Sequence, residues 1–482
     1  MRRGSTVFGA LLVVGGLATG VFFAVGLPGL NSAPGWFYRA DANGSLGVAL
    51  ALLVAALAPL AVMHALRAAD AGRHGRALAA LVLVGTLAQI GLVFLAPGGL
   101  SSAWRRLHEG HGEYLRIAHA RQGHALDTLR DYESLAEGGT LGMFARSKPP
   151  GTLAAYLAVD ALASTRPVAF ALAPLIAKAQ HSQLAEVAPA GALAFLLFPL
   201  LTYLTLIPLV LLGRALLHDP RTGYDAAVLW LSAPAVLLID LHLDGALFPL
   251  LGTTAVALAA IGARSGRALA SIAGGCVAAL GIYCTFGLLP VLGLGVGCSL
   301  VVAAERASHG VSLARAARPL QHALLFFAGA AVTTAAFVVL LRYDPLLRYE
   351  HALALHAEWK AFVPTRLWRG LSLVEFFLYA GVPLALAFAA ELLLAARAVV
   401  LRELAAPSLW TLGTAATLGV LAALQGTNEV ARLWIFMIPF LALSVAGGLR
   451  ARFADDPRRG LLLALAATQA ALAVVMKVTQ PW

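Results

Sequence analysis

Charge is what this sequence lacks most. Only 12% of its 482 residues are charged and 60% are hydrophobic, whereas an ordinary soluble domain is about 25% charged and about 45–50% apolar. That composition excludes a disordered or collagen-like chain and fits a soluble globular enzyme poorly. Cysteine is scarce too. Cys276, Cys284 and Cys298 share one apolar stretch without zinc-site spacing, which excludes a disulfide scaffold and leaves them as small hydrophobic filler. Acidic residues number 24 against 35 basic ones, for a net charge of +11. In a membrane protein basic residues mark cytoplasmic loops, so the excess speaks for nucleic acid only if it is not distributed by topology.

The apolar residues come in runs, and a run of about 20 crosses a bilayer as a helix. Thirteen are expected, at approximately 6–27, 46–66, 78–96, 189–213, 225–243, 246–263, 268–284, 286–304, 321–341, 372–396, 408–424, 433–449 and 460–478. The first follows Arg2-Arg3 and precedes Asn31-Ser32-Ala33, as a signal peptide would. Its length of about 20 residues exceeds the usual apolar segment of about 7–15, so it reads as an uncleaved helix. With the N-terminus inside, 18 of the 35 basic residues fall on the inside and only Arg39, Arg432 and Lys477 in short outside segments. The rest lie in two long outside loops, about 97–188 and 342–371, where the positive-inside rule loses force. The expected fold is therefore an all-α membrane protein of about 13 transmembrane helices, multi-pass in the cytoplasmic (inner) membrane. The positive charge follows topology, so no nucleic-acid partner is expected.

Both long loops carry aromatic and aliphatic residues at helical spacing. Trp104, Leu107, His111, Leu115 and Ala118 follow a three/four period with Arg105, Arg106, Glu109 and Arg116 on other faces, which predicts an amphipathic helix in the interface plane. A second short helix is expected from Pro149-Pro150 through Ala163. The segment His108-Glu109-Gly110-His111-Gly112-Glu113 places carboxylates just outside the membrane, where one suits a general base and where a solvated surface acid is the plainer reading. A metal reading also exists, since His108, His111 and His119 are close in sequence, although His108 and His111 are one residue too close for the HExxH zinc pattern.

Three further segments concentrate polar groups at helix ends. Ala145-Arg146-Ser147-Lys148-Pro149-Pro150-Gly151 is a rigid turn into a helix whose start favours anions, with Arg146 and Lys148 adding charge for a phosphate or else snorkelling to the interface. Asp240-Leu241-His242-Leu243-Asp244 sets acids close to hydrocarbon, which is costly unless they are paired or face water. The segment suits a divalent ion such as Mg or Mn, or an acceptor, or it simply caps a turn. Glu429-Val430-Ala431-Arg432 puts an arginine on the outside against the charge rule. Arg432 either meets a phosphate or pairs with Glu429 at i,i+3. The second long loop carries Tyr343, Arg348, Tyr349, His351, Trp359 and Arg366, a composition that suits a sugar and a lipid phosphate and also an interfacial belt.

In this order the segments resemble the GT-C superfamily of integral-membrane glycosyltransferases, which includes protein mannosyltransferases, aminoarabinose transferases and arabinofuranosyltransferases. The resemblance rests on Gly110-His111-Gly112-Glu113-Tyr114-Leu115, Lys148-Pro149-Pro150-Gly151, Asp244, and Glu429 to Trp434, and covers about residues 78–450. It implies two N-terminal transmembrane helices (1–77), a GT-C-like catalytic core (78–450) and a C-terminal transmembrane helix (451–482). It implies a donor sugar on a polyprenyl monophosphate, a cell-envelope glycan, lipid or protein as acceptor, and an active site on the outer, periplasmic face. By the same resemblance Glu113 is the base, with Glu109 and Asp41 as rivals. Lys148 and Arg432 meet the donor phosphate, and Asp244 serves metal or acceptor. A polysaccharide ligase or polymerase with a diphosphate-linked donor, and a lipid or solute transporter, are the alternatives. A transporter places ionisable groups near the bilayer midplane, and here the mid-span regions are almost free of charge.

Overall fold

The computed structural model describes residues 2–25, 60–95, 99–108, 113–179, 188–239, 241–360, 365–403, 405–425, 429–453 and 455–479. Among these there is no strand; the described chain is helical. Asp41, Glu109, His111, Asp240 and most of the run expected at 46–66 lie outside the described residues, as does the side chain of His108.

Among the described residues nine helices are long and apolar enough to cross a membrane: His74–Val93, Ala188–Leu217, Leu243–Ser265, Phe286–Ser308, Leu313–Leu341, Val382–Val400, Ala406–Leu424, Ile435–Arg452 and Pro457–Lys477. Gly9–Val21, Gly151–Ala163, Arg166–Leu175, Ala268–Cys284 and Gly370–Ala380 are apolar but shorter. The chain is thus an all-α protein with the make-up of a multi-pass membrane protein.

Several runs that hydropathy reads as single spans are broken, each for a local reason. The 225–243 run divides into Pro220–Leu231 and Pro234–Leu238. Pro234 disfavours the helical conformation at Ala233, which is extended (φ −62°, ψ 132°). The 372–396 run breaks at Gly381, whose φ of +100° ends the helix Thr365–Ala380 before Val382–Val400 begins. Carbonyls freed at such breaks need donors inside an apolar bundle, and buried glutamines supply them. Gln89 Nε2 donates to the Val236 carbonyl at 2.7 Å, and Gln469 Nε2 to that of Ala380 at 2.9 Å.

The bundle has two polar ends. Asp244 opens the helix Leu243–Ser265, and Arg264 closes it. Arg432 precedes the helix Ile438–Arg452, whose far end carries Arg450 and Arg452. At that far end the arginines are ion-paired. Arg264 meets Glu305 at 2.5 Å, and Arg450 and Arg458 both meet Asp225, at 3.2 and 3.0 Å. Arg452 pairs with Glu391 and Arg459 with Asp70. All of these arginines belong to the set that the positive-inside pattern assigns to one side. The other end collects the two long loops and the segments described next.

The first long loop is a stack of short helices. The described parts of the amphipathic segment are the helices Gly99–His108 and Glu113–Ala120. Their apolar residues Trp104, Leu107, Leu115 and Ala118 are buried in a satellite core with Tyr114, Tyr132, Tyr156 and Phe198, while Arg116 is exposed.

Candidate functional site

The Lys148-Pro149-Pro150-Gly151 turn is anchored on both flanks. Gly151 begins the helix Gly151–Ala163, and a Cβ there would lie 2.5 Å from the Tyr283 carbonyl oxygen. Only glycine lets this helix start dock so closely on the end of Ala268–Cys284. Thr152 Oγ1 then donates to the Cys284 carbonyl at 2.8 Å. Upstream, the Tyr132 hydroxyl reaches the carbonyls of Ala145 (3.0 Å) and Lys148 (3.1 Å). Burial keeps this phenol far above its ordinary pKa, so it remains a donor.

That anchoring aims Lys148 inward. Its Nζ lies 2.8 Å from Asp244 Oδ2 and 3.1 Å from Oδ1. Arg432 Nη1 reaches the same Oδ2 at 2.8 Å, and its Nη2 reaches Glu429 Oε2 at 2.6 Å. Residues 96 and 188 positions apart thus form one network of two cations and two carboxylates. Lys148, Asp244 and Arg432 are only 8%, 3% and 7% exposed, so Lys148 does not snorkel. Burial pulls its ammonium below the ordinary lysine pKa, and the Asp244 carboxylate resists that pull. The network is neutral as a whole, which is how buried charges survive. Asp244 also sits in the first turn of its helix, where a negative charge is favoured.

Glu113 belongs to the same unit. It opens the helix Glu113–Ala120, and its Oε1 accepts from the Phe144 N–H at 3.2 Å, four residues before Lys148. Gly142 adopts φ +75° directly against this carboxylate, and a Cβ on it would come within 2.5–2.8 Å of Glu113 side-chain atoms. Next in sequence, Tyr114 is fully buried and stacked on Tyr156 at 5.5 Å. Its hydroxyl has no hydrogen-bond partner among the described residues. It lies within electrostatic range of both Glu113 and Asp244, and burial keeps it protonated.

Other expected members stand apart. Arg146 turns to Glu137 at 3.7 Å and does not join Lys148. His242 precedes the helix that Asp244 opens and is partly exposed. The residues described around Asp244 do not suit a divalent ion, because Oδ2 already touches two cations. A different trio, Glu133, Glu137 and His351, brings ligand atoms within 4.8 Å of one another. Arg348 already meets both of those carboxylates, at 3.3 and 3.2 Å. The composition of the second loop suggests that Arg348 faces a ligand. Instead it is fully buried and also donates to the Arg146 carbonyl at 2.6 Å, bracing the Lys148 turn from the second loop.

One acid in the neighbourhood escapes sequence reasoning. Glu375, in the helix Thr365–Ala380, is buried and accepts from the Ala431 N–H at 3.4 Å. A lone carboxylate inside an apolar run is itself a signal of cost and purpose.

No family model matches the chain, and no curated protein and no solved structure matches it either.

Proposed function

We propose that the chain is an integral-membrane glycosyltransferase. It moves a sugar from a polyprenyl monophosphate to a cell-envelope acceptor at the outer face of the membrane, with inversion at the anomeric carbon. The observation that carries this reading is the convergence of Lys148 and Arg432 on one buried point, Asp244 Oδ2, at 2.8 Å each. Two cations that share one oxygen are spaced to share a phosphate oxygen, and guanidinium and ammonium groups are the usual partners of phosphate.

In the reaction the acceptor hydroxyl attacks the anomeric carbon and gives its proton to Glu113. The bond from that carbon to the phosphate oxygen breaks, and its electron pair stays on the phosphate. A phosphodiester with one negative charge becomes a monoester with two. Lys148 and Arg432 stabilise that growing charge in a site shielded from water, where such contacts count most. Asp244 holds the two cations together and yields part of its contact to the phosphate. The Phe144 N–H bond fixes the Glu113 carboxylate. No metal is required in these steps. The outer-face placement follows the charge distribution of the loops.

The test is reconstitution of the purified protein with polyprenyl-monophosphate sugars and envelope extract, followed by release of free polyprenyl phosphate. Release by the wild type and its loss in Lys148→Ala and Arg432→Ala is expected. Release only from a diphosphate-linked donor would replace this reading with a ligase or polymerase.

A further inference from the structure

Arg432 reaches Asp244 from an unusual piece of backbone. It lies in a four-residue turn, Val430–Leu433, entered through Glu429 at φ +66°. That left-handed conformation costs a residue with a Cβ roughly 1–2 kcal/mol. The Glu429 side chain does not compensate at the backbone, because its carboxylate turns to the Arg432 guanidinium at 2.6 Å. The Ala431 amide at the start of the turn finds an acceptor in Glu375, donating to its Oε1 at 3.4 Å. Glu375 is 4% exposed, and its Oε2 has no hydrogen-bond partner among the described residues. A carboxylate so buried, with no ion pair among the described residues, is expensive. The helix around it, Thr365–Ala380, is otherwise an apolar segment in its second half, where a leucine or phenylalanine would pack at no such cost. Among the described residues the Ala431 amide is what this side chain meets.

We propose that Glu375 is the positioning residue for Arg432: by receiving the Ala431 amide it holds the strained entry to the Val430–Leu433 turn and so sets the direction in which the guanidinium leaves the backbone toward Asp244. The role of Arg432 toward phosphate rests on the function proposed above; the way Arg432 is held does not. Glu375 touches no reacting atom in this scheme. It acts through the backbone, so an uncharged isostere that still accepts a hydrogen bond does the same work.

The test uses the full chain in lipid nanodiscs with two readouts. The first needs no ligand: phenylglyoxal labelling of Arg432, followed by peptide mass spectrometry, with Arg264 at the opposite end as an internal control of folding. In the wild type and in Glu375→Gln, Arg432 labels slowly. In Glu375→Ala it labels about tenfold faster, the weight of one backbone hydrogen bond, while Arg264 is unchanged. If Glu375→Ala does not fold, Glu375→Leu, which keeps the volume and removes the acceptor, is read in its place. The second readout is binding of farnesyl phosphate, expected to weaken by about tenfold in Glu375→Ala and to recover in Glu375→Gln by the same reasoning. Slow Arg432 labelling in Glu375→Ala overturns the proposal, as does failure of Glu375→Gln to restore it. A wild type that does not bind farnesyl phosphate, with labelling as expected, overturns the phosphate reading and leaves the positioning role standing.

Discussion

Asp244 Oδ2 lies 2.8 Å from Lys148 Nζ and 2.8 Å from Arg432 Nη1, so one carboxylate oxygen ties a turn of the first long loop to a turn near the end of the chain. Removing one partner of a buried ion pair costs about 3–5 kcal/mol because the other charge is stranded. Asp244→Ala strands Lys148 and leaves Arg432 only its half of the network with Glu429, whereas Lys148→Met leaves Asp244 paired with Arg432. We expect Asp244→Ala to lower stability by more than Lys148→Met, and Lys148→Met/Asp244→Asn to recover part of the loss. Thermal unfolding in detergent measures both.

Glu113 tests the assignment of the base. Glu113→Gln keeps an acceptor for the Phe144 N–H, so the fold is retained while transfer falls by about 10²–10⁴-fold, the usual weight of general base catalysis. Gly142→Ala approaches the same group from the other side. Its Cβ is strained at φ +75° and meets the carboxylate, so transfer falls although no ionisable group has changed. Single-turnover assays on both variants distinguish a lost base from a lost fold.

Lys148 supplies a pH dependence whose sign is fixed. Only its ammonium form attracts phosphate, and burial lowers its pKa from the ordinary lysine value. Raising the pH therefore removes the charge earlier than for a surface lysine, and affinity for farnesyl phosphate declines on the alkaline side. Arginine stays charged throughout that range, so Lys148→Arg, where it binds, loses this alkaline limb. Titration of binding against pH reads the difference.

Arg348 joins the two long loops through Glu133, Glu137 and the Arg146 carbonyl. Arg348→Ala removes one partner from each of Glu133 and Glu137 and frees the segment of chain that leads to Lys148. Hydrogen exchange across 132–148 is expected to rise, with the opposite end of the bundle unaffected. Arg348→Lys, which lacks the planar fork that serves several acceptors at once, is expected to recover only part of the protection.

The charge distribution made much of this legible in advance. Asp244 stands out because an acid beside hydrocarbon needs a partner, Arg432 because it lies outside against the charge rule, and Lys148 because it enters a rigid turn at a helix start; the structure brings those three together. That Asp244 is the partner of both cations was not readable, since the pairing depends on how distant helices pack. That Arg348 is buried and does not face a ligand is not legible in the sequence, because nothing in a mixed aromatic and basic loop marks which basic residue turns inward. Glu375 was hidden in a run read for its apolar residues. The helix breaks at Ala233 and Gly381 were missed because average hydropathy does not register one residue's backbone angles.

Envelope glycan composition tests the central claim most directly. Mass spectrometry is applied to cells lacking this protein, and to the same cells complemented with the wild-type chain or with Arg432→Ala. The account predicts loss of one defined sugar, restored by the wild type and not by Arg432→Ala. An unchanged glycan profile in the deletion strain would contradict it.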